Sequence, residues 1–586
     1  FFNVCALTYR RVQNDALAYL LLGCAKANSV DVDINVTNRS TGNPEVAKLR
    51  KGLEYSLQTQ SGDCGAPVIM NRRSAARKIT GIHVAGSMCG TRAFAESITQ
   101  KNLKDALANF DSQFVIITDN DQLENGIFTQ HVGVMEVGNT YLREDYQALT
   151  GIPCDLFTPI GECSEPQFHP SKTNIFPSAI SGACQEPLTA PSVLYSREID
   201  VMALNLQKSA MNTPYIDPEL IEDAVHGVKH KLFDKSVVNT DHLKRVLSFE
   251  EAISGSGADS AFLEPVNRSS SAGFPWNLFK VPGTAGKQCW LGDDDTYLYD
   301  AEVREVVEQR VELARQGIRM ATVWTDTLKD ERRPLEKVRA CKTRTFAVGP
   351  MDYLIAFRMY FLGFNAHVME NRIVNEQSIG TNVHGNDWRR TALKLQKHGE
   401  HVIAGDFSSF DGTLNASIMW EFVNVINEWY DDGEENARIR RVLFLDVINS
   451  THVCSNVYYT LDHSQPSGNP ITTILNSFYN SVSMRIVYAL CRREADSFLA
   501  FDDHVSMVSY GDDNVLNISP EVLSWFNQNT ITEKYKVIGM TYTDETKTDG
   551  AIAPARKLHE VAYLKRRFEH SEGYWFCPLS IDVEIG

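Results

Sequence analysis

The chain has 586 residues, of which 43% are apolar and 22% charged, a composition typical of globular rather than disordered or fibrous proteins. Its 57 Lys and Arg against 74 Asp and Glu give a net charge of −17, which excludes attraction to nucleic acid by bulk charge but not a basic channel on an acidic body. The 12 cysteines include no C-x-x-C pair, so they indicate neither a disulfide scaffold nor a structural zinc site and favour a reducing compartment.

No segment predicts a membrane span or a secretion signal. No apolar run approaches the roughly 20 residues of a membrane-spanning helix, and the apolar stretch at residues 16–24 is predicted to be core. The first residue is Phe1, with neither Met nor a basic region, so no signal peptide is predicted and we expect a cut from a longer protein. Length alone predicts about four domains of ~150 residues.

Residues 1–110 carry patterns typical of short β-strands. Apolar or alternating runs at 67–71 and 78–84 flank a polar turn at 72–77, which is typical of a β-hairpin. Several such units predict an all-β barrel. Residues 111–190 differ because their second half is rich in proline, and we predict a junction or extended arm there.

Helical patterns dominate beyond residue 190. The predicted helices cover residues 301–316, 351–370, 414–430 and 472–489. The first ends at Gly317, and the second is apolar on most faces and should be buried. Strand patterns lie between the helices at residues 402–407, 453–460, 505–510 and 514–518. Strands that alternate with helices predict an α/β or α+β body.

Acidic residues lie at two strand ends. Gly511 and Asp512 separate two strand patterns, which predicts a hairpin with Asp512 and Asp513 at its tip. Asp406 ends another apolar run, where a carboxylate is costly unless it is paired or binds a metal. Taken singly, each pattern also fits a polar turn or a capping residue. Side by side, Asp406 and Asp512 would supply oxygen ligands for two Mg²⁺ ions about 3.5–4 Å apart, the arrangement for in-line phosphoryl transfer.

Two further segments surround these acids in the sequence. A Gly-Asn-Pro loop precedes Thr472, which can open the next helix, so Asn476 falls one turn into that helix and could face the loop. Residues 329–344 carry seven basic and three acidic side chains, a local charge of +4 that suits a triphosphate or an RNA backbone. A solvated helix face is the alternative, but Pro334 argues against one continuous helix.

In this order, the segments resemble the RNA-dependent RNA polymerases of picorna-like positive-strand RNA viruses, with the dicistrovirus branch nearest. The resemblance covers roughly residues 170–586 and rests on D-x4-D, S-G-x3-T-x3-N and Y-G-D-D, preceded by K-D-E-x-R-x3-K-x4-K-x-R. It implies an α+β right-hand polymerase with fingers and palm and with the thumb largely missing. The expected parts are a junction and start of the polymerase at 111–190, fingers with part of the palm at 191–400, palm at 401–570 and the start of a thumb at 571–586.

The resemblance also assigns residue roles. Asp406 and Asp512 would bind metal, with Asp513 beside them, and Lys547 matches the lysine proposed to protonate the leaving pyrophosphate. Recognition of the ribose 2′-hydroxyl would use Asp411, Ser467, Thr472 and Asn476. The fingers segment that guides the triphosphate would contribute Lys329, Arg333, Lys337, Lys342 and Arg344. Residues 562–566 resemble the primer-grip hairpin, and residues 269–276 resemble the fingers loop beside the template.

A cysteine lies in a Gly-flanked turn, where its sulfur would be exposed and backbone N–H groups could face an oxyanion. Cys64 alone would more often be structural, but with His83 19 residues later it resembles the picornavirus-type chymotrypsin-like cysteine protease, which directly precedes the polymerase in viral polyproteins. Residues 1–110 would then be its second barrel, with Cys64 as nucleophile and His83 and Thr59 lining a pocket for Gln or Glu. The general base would precede this segment, so we expect the protease part to be inactive in this chain.

The leading hypothesis is a piece of a viral polyprotein that adds NTPs to an RNA 3′ end on an RNA template, using Mg²⁺ or Mn²⁺. The expected partners are RNA template and primer, NTPs and, by family resemblance, a genome-linked protein primer. The viral polyprotein would be the protease substrate. We expect the protein in the host cytoplasm, at membrane-associated replication complexes.

Two other functions stay open from sequence. A reverse transcriptase also uses paired aspartates at a hairpin tip, although Asp411 and Asn476 favour ribose over deoxyribose. A non-catalytic fragment that binds RNA or partner proteins would also account for the basic segment.

Overall fold

The computed structural model describes residues 2–13, 16–37, 44–55, 67–70, 79–86, 92–99, 101–102, 158–162, 172–176, 189–202, 204, 206, 213–293, 295–454, 457–461, 463–546 and 553–579. The chain divides into two compact units, Phe1–Ile116 and Ile117–Gly586. Among the helices of the described ranges, none is both long and apolar enough to cross a lipid bilayer.

The first unit is a closed antiparallel barrel. Its strands are β1 (Phe2–Gln13), β2 (Ala16–Thr37), β3 (Pro44–Tyr55), β4 (Pro67–Met70), β5 (Ile79–Gly86) and β6 (Ala93–Ser97). Around the barrel they follow the order β1-β2-β3-β6-β5-β4. The hairpin predicted from residues 67–84 is present, since β4 and β5 pair with Pro67 opposite Ile82.

Within its described residues, the second unit contains two larger sheets and three small ones. Its strands are β7 (Thr158–Glu162), β8 (Thr189–Pro191), β9 (Val323–Leu328), β10 (Arg332–Pro334), β11 (Thr345–Val348), β12 (Val402–Ser408), β13 (Thr451–Cys454), β14 (Val457–Thr460), β15 (Val505–Tyr510), β16 (Asp513–Ile518), β17 (Thr541–Asp544), β18 (Ala562–Tyr563), β19 (Arg566–Arg567), β20 (Glu569–Ser571) and β21 (Tyr574–Phe576). The larger sheets have the orders β11-β9-β13-β14-β7 and β15-β16-β12-β17, and the small pairs are β8–β10, β18–β19 and β20–β21.

Helices pack around these sheets. They are α1 (Pro218–Phe233), α2 (Phe249–Ser254), α3 (Gln288–Leu291), α4 (Ala301–Arg315), α5 (Leu335–Arg339), α6 (Met351–Glu370), α7 (Asn386–Lys394), α8 (Ala416–Tyr430), α9 (Glu434–Ile448), α10 (Thr472–Glu494), α11 (Phe501–His504) and α12 (Gln528–Val537). Helix α6 has the predicted bounds and is buried over most of its circumference, as its sequence indicated. Phe357 and Phe361 stack along it with ring centroids 3.9 Å apart, and each such buried side chain contributes about 1.5–3 kcal/mol by leaving water.

Most predicted boundaries agree with the structure to within a few residues, but one predicted strand is wrong. Residues 453–460 do not form one strand, because β13 and β14 fold back on each other with Thr451 opposite Thr460. Both arms carry alternating or apolar side chains, so the pattern continues across the reversal. Asp406 also lies inside β12 rather than at its end, since the strand continues to Ser408 along β17.

Candidate active site

The register of the four-stranded sheet places two acids side by side. Gly405 of β12 pairs with Asn514 of the antiparallel strand β16. Asp406 follows Gly405 and Asp513 precedes Asn514, so the two aspartates occupy the next position on neighbouring strands. Such strands lie about 4.8 Å apart. Asp512 adjoins Asp513, and we call Asp406, Asp411, Asp512 and Asp513 the acidic edge.

Because Gly405 has no side chain, the ring of Tyr542 packs directly on strand β12 next to Asp406. A Cβ on Gly405 would lie 1.9 Å from Cζ of Tyr542, so any larger residue there would displace the ring. The Tyr542 hydroxyl donates to Oδ1 of Asn514 over 2.9 Å. The ring of Tyr542 therefore joins β17 to β16 across β12, immediately beside the acids.

Helix α10 holds the turn that carries Asp512. Tyr510 pairs with Asp513, which leaves Gly511 and Asp512 as a two-residue loop, and Gly511 takes φ +63°, a conformation that suits glycine. The Gly511 N–H donates to Oγ of Ser477 over 2.8 Å. Nδ2 of Asn480 donates to the carbonyls of both Gly511 and Asp512 at 3.0 Å. The predicted hairpin is thus present, and its turn is held by two side chains of α10.

The carboxylates repel one another. Burial, then the charges of Asp411 and Asp406, raises the pKa of Asp512 to about 6. Burial, then Asp512 and Asp406, raises the pKa of Asp513 to about 7. Proximity of like charges makes ionisation costly, and a bound cation would reverse that cost.

Asp411 is held by two amides. Oδ1 of Asp411 accepts from Nδ2 of Asn476 over 2.7 Å and from Nε2 of Gln465 over 3.2 Å. Gln465 Nε2 also donates to Oδ1 of Asn476. Asn476 thus faces the loop before α10, as its position in the sequence predicted. Burial raises the pKa of Asp411 against the opposing effect of both amides.

The loop that precedes α10 is anchored on strand β11. The Ala347 N–H donates to the Ser467 carbonyl over 2.9 Å. A Cβ on Gly468, whose φ is +141°, would lie 2.0 Å from the Ala347 carbonyl oxygen. Oγ1 of Thr472 donates to the Asn469 carbonyl over 2.8 Å. These contacts place Ser467 and Thr472 beside the strand that begins next to Arg344.

The basic segment, residues 329–344, converges on one glutamate. Arg344 makes a bidentate ion pair with Glu331, while Lys329 and Arg333 lie 3.8 and 3.7 Å from it. Burial acts to raise the pKa of Glu331, but these cations outweigh burial and lower it. After Glu331, the charges of Asp512 and Asp411 also act to raise the pKa of Arg344. The basic segment and the acidic edge therefore interact electrostatically.

Two adjoining cavities gather most of the predicted site residues. The first has a volume of about 540 Å³ and is lined by residues that include Arg333, Lys337, Lys342, Arg344, Asp406, Asp411, Ser467, Asn476 and Asp512. The second, about 430 Å³, shares Arg344, Asp411 and Ser467 and adds Lys329 and Thr472. Asp513 lies beside Asp512 rather than on the lining. Acids and cations thus line the same space.

The acidic edge offers oxygen ligands for a divalent cation. Among the described residues, no three acidic, histidine or cysteine side chains are arranged to hold a metal ion by themselves. Mg²⁺, however, is usually bound by one or two carboxylates together with substrate phosphates and water. The carboxylates of Asp406 and Asp513 on paired strands, with Asp512 next in the chain, offer hard oxygen ligands that match that mode. The residues therefore fit a cation that arrives with a phosphate substrate.

Three predicted site residues, Cys64, Thr59 and Lys547, lie outside the described residues. His83 is described: it is 1% exposed in the barrel, and its Nδ1 lies 2.7 Å from the Tyr55 hydroxyl. That hydrogen bond fixes the imidazole ring.

Four residues that hold this site were not predicted: Gln465, Ser477, Asn480 and Tyr542. In the first unit, Tyr55, which holds His83, was not predicted either. One pattern could have revealed Asn480, since it follows Asn476 by four residues and so shares its helix face. Asn514 was likewise readable as a polar residue within an apolar strand. Tyr542 had no local pattern, because its role depends on a glycine 137 positions away.

Two families match the chain. Residues 196–580 match the family described as viral RNA-dependent RNA polymerase. Residues 29–113 match the family described as tungro spherical virus-type peptidase. The two matches fall in the order that the sequence motifs predicted.

Among relatives, the chain is 46% identical to the replicase polyprotein of Acute bee paralysis virus (strain Rothamsted), over 98% of this chain and 30% of that protein. It is 36% identical to the replicase polyprotein of Cricket paralysis virus, over 91% and 31%. The chain therefore spans about a third of the length of these relatives. Both are dicistrovirus proteins, so the predicted kinship is confirmed.

A solved structure shows the same fold. The Sicinivirus 3Dpol RNA-dependent RNA polymerase superposes with a TM-score of 0.57 at 21% identity, covering 72% of this chain and 84% of that chain.

Proposed function

The chain belongs to the viral RNA-dependent RNA polymerase family, and on that premise we propose that its second unit extends an RNA 3′ end with NTPs on an RNA template. The observation that carries this proposal is one cavity lined both by Asp406, Asp411, Asn476 and Asp512 and by the cations of the basic segment. Acids and cations around one space suit a metal-bound triphosphate. Asp411 and Asn476 line the same space and could read the ribose.

We propose that Asp406 and Asp512 hold Mg²⁺ or Mn²⁺, with Asp513 beside them. When bound, such ions activate the attacking oxygen and neutralise charge on the leaving group. The chain's own contribution is to fix both carboxylates on paired strands before substrate arrives. Their positions rest on the Gly405–Asn514 register and on the turn held by Asn480.

The triphosphate would bind the basic segment. In this proposal its oxygens meet Arg333, Lys337, Lys342 and Arg344 in the first cavity and Lys329 in the second. Charge-assisted hydrogen bonds from guanidinium groups suit phosphate oxygens. Lys547 is proposed to donate the proton that the leaving pyrophosphate needs.

The ribose would bind between the loop and the acidic edge. Asp411 and Asn476 are linked by a hydrogen bond, and Ser467 and Thr472 line the same space. A 2′-hydroxyl both donates and accepts hydrogen bonds, so a carboxylate and hydroxyls can satisfy it. This arrangement favours ribonucleotides and therefore argues against reverse transcription.

A third cavity suits the template. It has a volume of about 670 Å³, and Gly468 and Pro470 line it from the same loop that bounds the nucleotide space. Ser270 and Ser271, from the loop predicted to lie beside the template, line it as well. We propose that the templating strand passes here and that residues 562–566 contact the primer. A genome-linked protein is the proposed primer.

The remaining assignments of the polymerase are also proposals. They are a start of the polymerase within 111–190, fingers within 191–400, palm within 401–570 and the first residues of a thumb at 571–586. Host cytoplasm, at membrane-associated replication complexes, is the proposed location.

For the first unit, we propose a protease substrate pocket. His83, oriented by Tyr55, would recognise a Gln or Glu side chain of the viral polyprotein together with Thr59. Cys64 would be the nucleophile in this reading. A Gln analogue soaked into crystals should contact Nε2 of His83, and binding elsewhere would contradict the assignment.

Primer extension tests the polymerase proposal. The chain should incorporate NTPs on a primed RNA template in the presence of Mg²⁺, and Asp512→Asn should remove that activity. Asp503→Asn, an exposed aspartate on α11, is the matched control and should incorporate normally. Undiminished incorporation by Asp512→Asn would refute the assignment, and preferential use of dNTPs would indicate a reverse transcriptase. Salt-sensitive RNA binding with no metal-dependent incorporation would indicate a binding module.

A further inference from the structure

Gln465 lies at the junction of the loop and the acidic edge. The residue is 5% exposed, and its backbone N–H donates to the Asp411 carbonyl over 3.1 Å. Its Nε2 contacts three oxygens: Oδ1 of Asp411, Oδ1 of Asn476 and, at 3.5 Å, the carbonyl of Thr472. Gln465 thus contacts three residues of the proposed ribose site through its amide nitrogen.

The orientation of the two amides follows from these partners. Nδ2 of Asn476 must face the Asp411 carboxylate, since the carboxylate oxygen only accepts when ionised. Oδ1 of Asn476 then faces Gln465, which must present its nitrogen. Flipping Gln465 would place its oxygen against three acceptor oxygens. The chain Asp411–Asn476–Gln465 therefore has one consistent arrangement.

This arrangement divides the Asp411 carboxylate into two unequal oxygens. Within the described residues, both hydrogen bonds to the Asp411 carboxylate end on Oδ1, from Asn476 and from Gln465. Oδ2 has no hydrogen-bond donor among those residues, and Asp411 lines both cavities. One oxygen is therefore committed to the protein, and the other is left for a ligand hydroxyl.

The amide of Gln465 is held by its nitrogen alone. Its Oε1 is buried and accepts no hydrogen bond from any described residue. A buried acceptor without a partner costs stability, so the contacts made by Nε2 are what this side chain contributes. An apolar residue of similar size would fill the same volume without that cost.

We propose that Gln465 is a positioning residue for sugar selection, which holds Asp411 through Oδ1 so that Oδ2 is presented to the 2′-hydroxyl of the incoming nucleotide. The inference rests on the proposed polymerase function and deepens it. Without the donor at Gln465, the carboxylate can rotate and its preference for a 2′-hydroxyl weakens. Binding of the triphosphate does not involve Gln465 and should be retained.

The test compares two nucleotides that differ only at the 2′ position. The dissociation constants of a 3′-deoxy-NTP and its 2′,3′-dideoxy counterpart are measured by calorimetry with Mg²⁺, for the whole chain and for Gln465→Leu and Gln465→Glu. Gln528→Leu is the matched control, because Gln528 is buried in α12 and its Nε2 donates to Thr532. Thermal unfolding of each variant verifies that it is folded.

We define selectivity as the dissociation constant of the dideoxy-NTP divided by that of the 3′-deoxy-NTP. This ratio should fall about five- to tenfold in Gln465→Leu, where a tenfold change equals about 1.4 kcal/mol. It should fall further in Gln465→Glu, whose carboxylate repels Asp411, and should not change in Gln528→Leu. The dideoxy-NTP should bind Gln465→Leu as it binds the unsubstituted chain. If Gln465→Leu does not fold, the ratio measured for Gln465→Glu tests the inference instead.

An unchanged ratio in the folded Gln465 variants would overturn the inference, and so would a chain that binds neither nucleotide. The proposed function fails separately: if the chain binds and discriminates the two nucleotides but incorporates none, polymerase activity is refuted and sugar selection by Gln465 stands.

Discussion

The acidic edge and the basic segment face one cavity but are built differently. Asp406 and Asp513 lie on paired strands, and Asp512 lies on a turn that α10 holds through Ser477 and Asn480. The cations converge on Glu331, and the side chains of Lys329 and Arg344 are 49% and 54% exposed. The acids proposed to bind metal are therefore fixed by strand pairing, whereas the cations proposed to contact the triphosphate share one side chain. Substitutions in the two regions should have unequal effects.

The largest effect is expected at the acidic edge itself. Asp406→Asn removes one charged ligand from β12 while keeping the side-chain shape. Because metal ions contribute several kcal/mol to phosphoryl transfer, kcat should fall about a thousandfold or more. Primer extension in Mg²⁺ measures this. A loss of less than about tenfold would contradict a ligand role for Asp406.

The next largest effect is expected at Gly405, which precedes Asp406 on β12 and packs against Tyr542. In Gly405→Ala the new Cβ would overlap the Tyr542 ring, and overpacking of this kind costs up to about 3 kcal/mol. Urea denaturation should show that loss in the free energy of unfolding. Gly257→Ala is the control, since a Cβ there meets nothing within 4 Å and stability should be retained. Equal stability of the two variants would refute the packing argument.

Substitutions at two buried asparagines can distinguish an effect on activity at the Gly511–Asp512 turn from a general loss of stability. Asn480→Leu removes the 3.0 Å donor to the carbonyls of Gly511 and Asp512 and leaves only Asn514, at 3.5 Å, for the latter, at an expected cost of about 1–3 kcal/mol. Asn517→Leu is chemically matched, because Asn517 is buried and donates to two carbonyls, those of Gly399 and His401.

Both asparagine variants should lose similar stability in chemical denaturation. Only Asn480→Leu should also lose incorporation activity measured well below its unfolding temperature. If Asn517→Leu loses activity to the same degree, the turn is no more important to the site than the rest of the sheet.

The smallest effect is expected in the basic segment. Glu331→Gln removes one negative charge, so at low salt tripolyphosphate should bind about two- to fivefold more tightly. Arg344 meanwhile loses its bidentate partner, so kcat should fall. Glu336→Gln makes the same charge change at an exposed residue and should leave kcat unchanged. A higher kcat in Glu331→Gln would show that Glu331 inhibits rather than orients.

Local features of the fold were predictable from sequence. Helix α6 and strand β15 have the predicted bounds because each is defined by side-chain periodicity within its own residues. The hairpin at Gly511 was predictable for the same reason. The reversal between β13 and β14 was not predicted, because only Ser455 and Asn456 interrupt the apolar pattern, and two polar residues also fit a continuous strand.

Most of the predicted site residues line the cavity, but the residues that support them were not predicted. Asp406 and Asp512 lie in recognisable motifs, and resemblance to a family identified them together. Gln465 and Tyr542 act through residues far away in sequence, such as Gly405 opposite the Tyr542 ring. Only the sheet register and the helix packing bring those pairs into contact, and neither is encoded in a short window.

The central claim is that two separate strands supply one metal site at the nucleotide cavity. Anomalous scattering from crystals grown with Mn²⁺ and a non-hydrolysable NTP tests it most directly. We predict density within about 2.0–2.4 Å of carboxylate oxygens from both Asp406 and Asp512, and none in Asp512→Asn. Manganese bound by only one of these strands, or retained in Asp512→Asn, would contradict the claim.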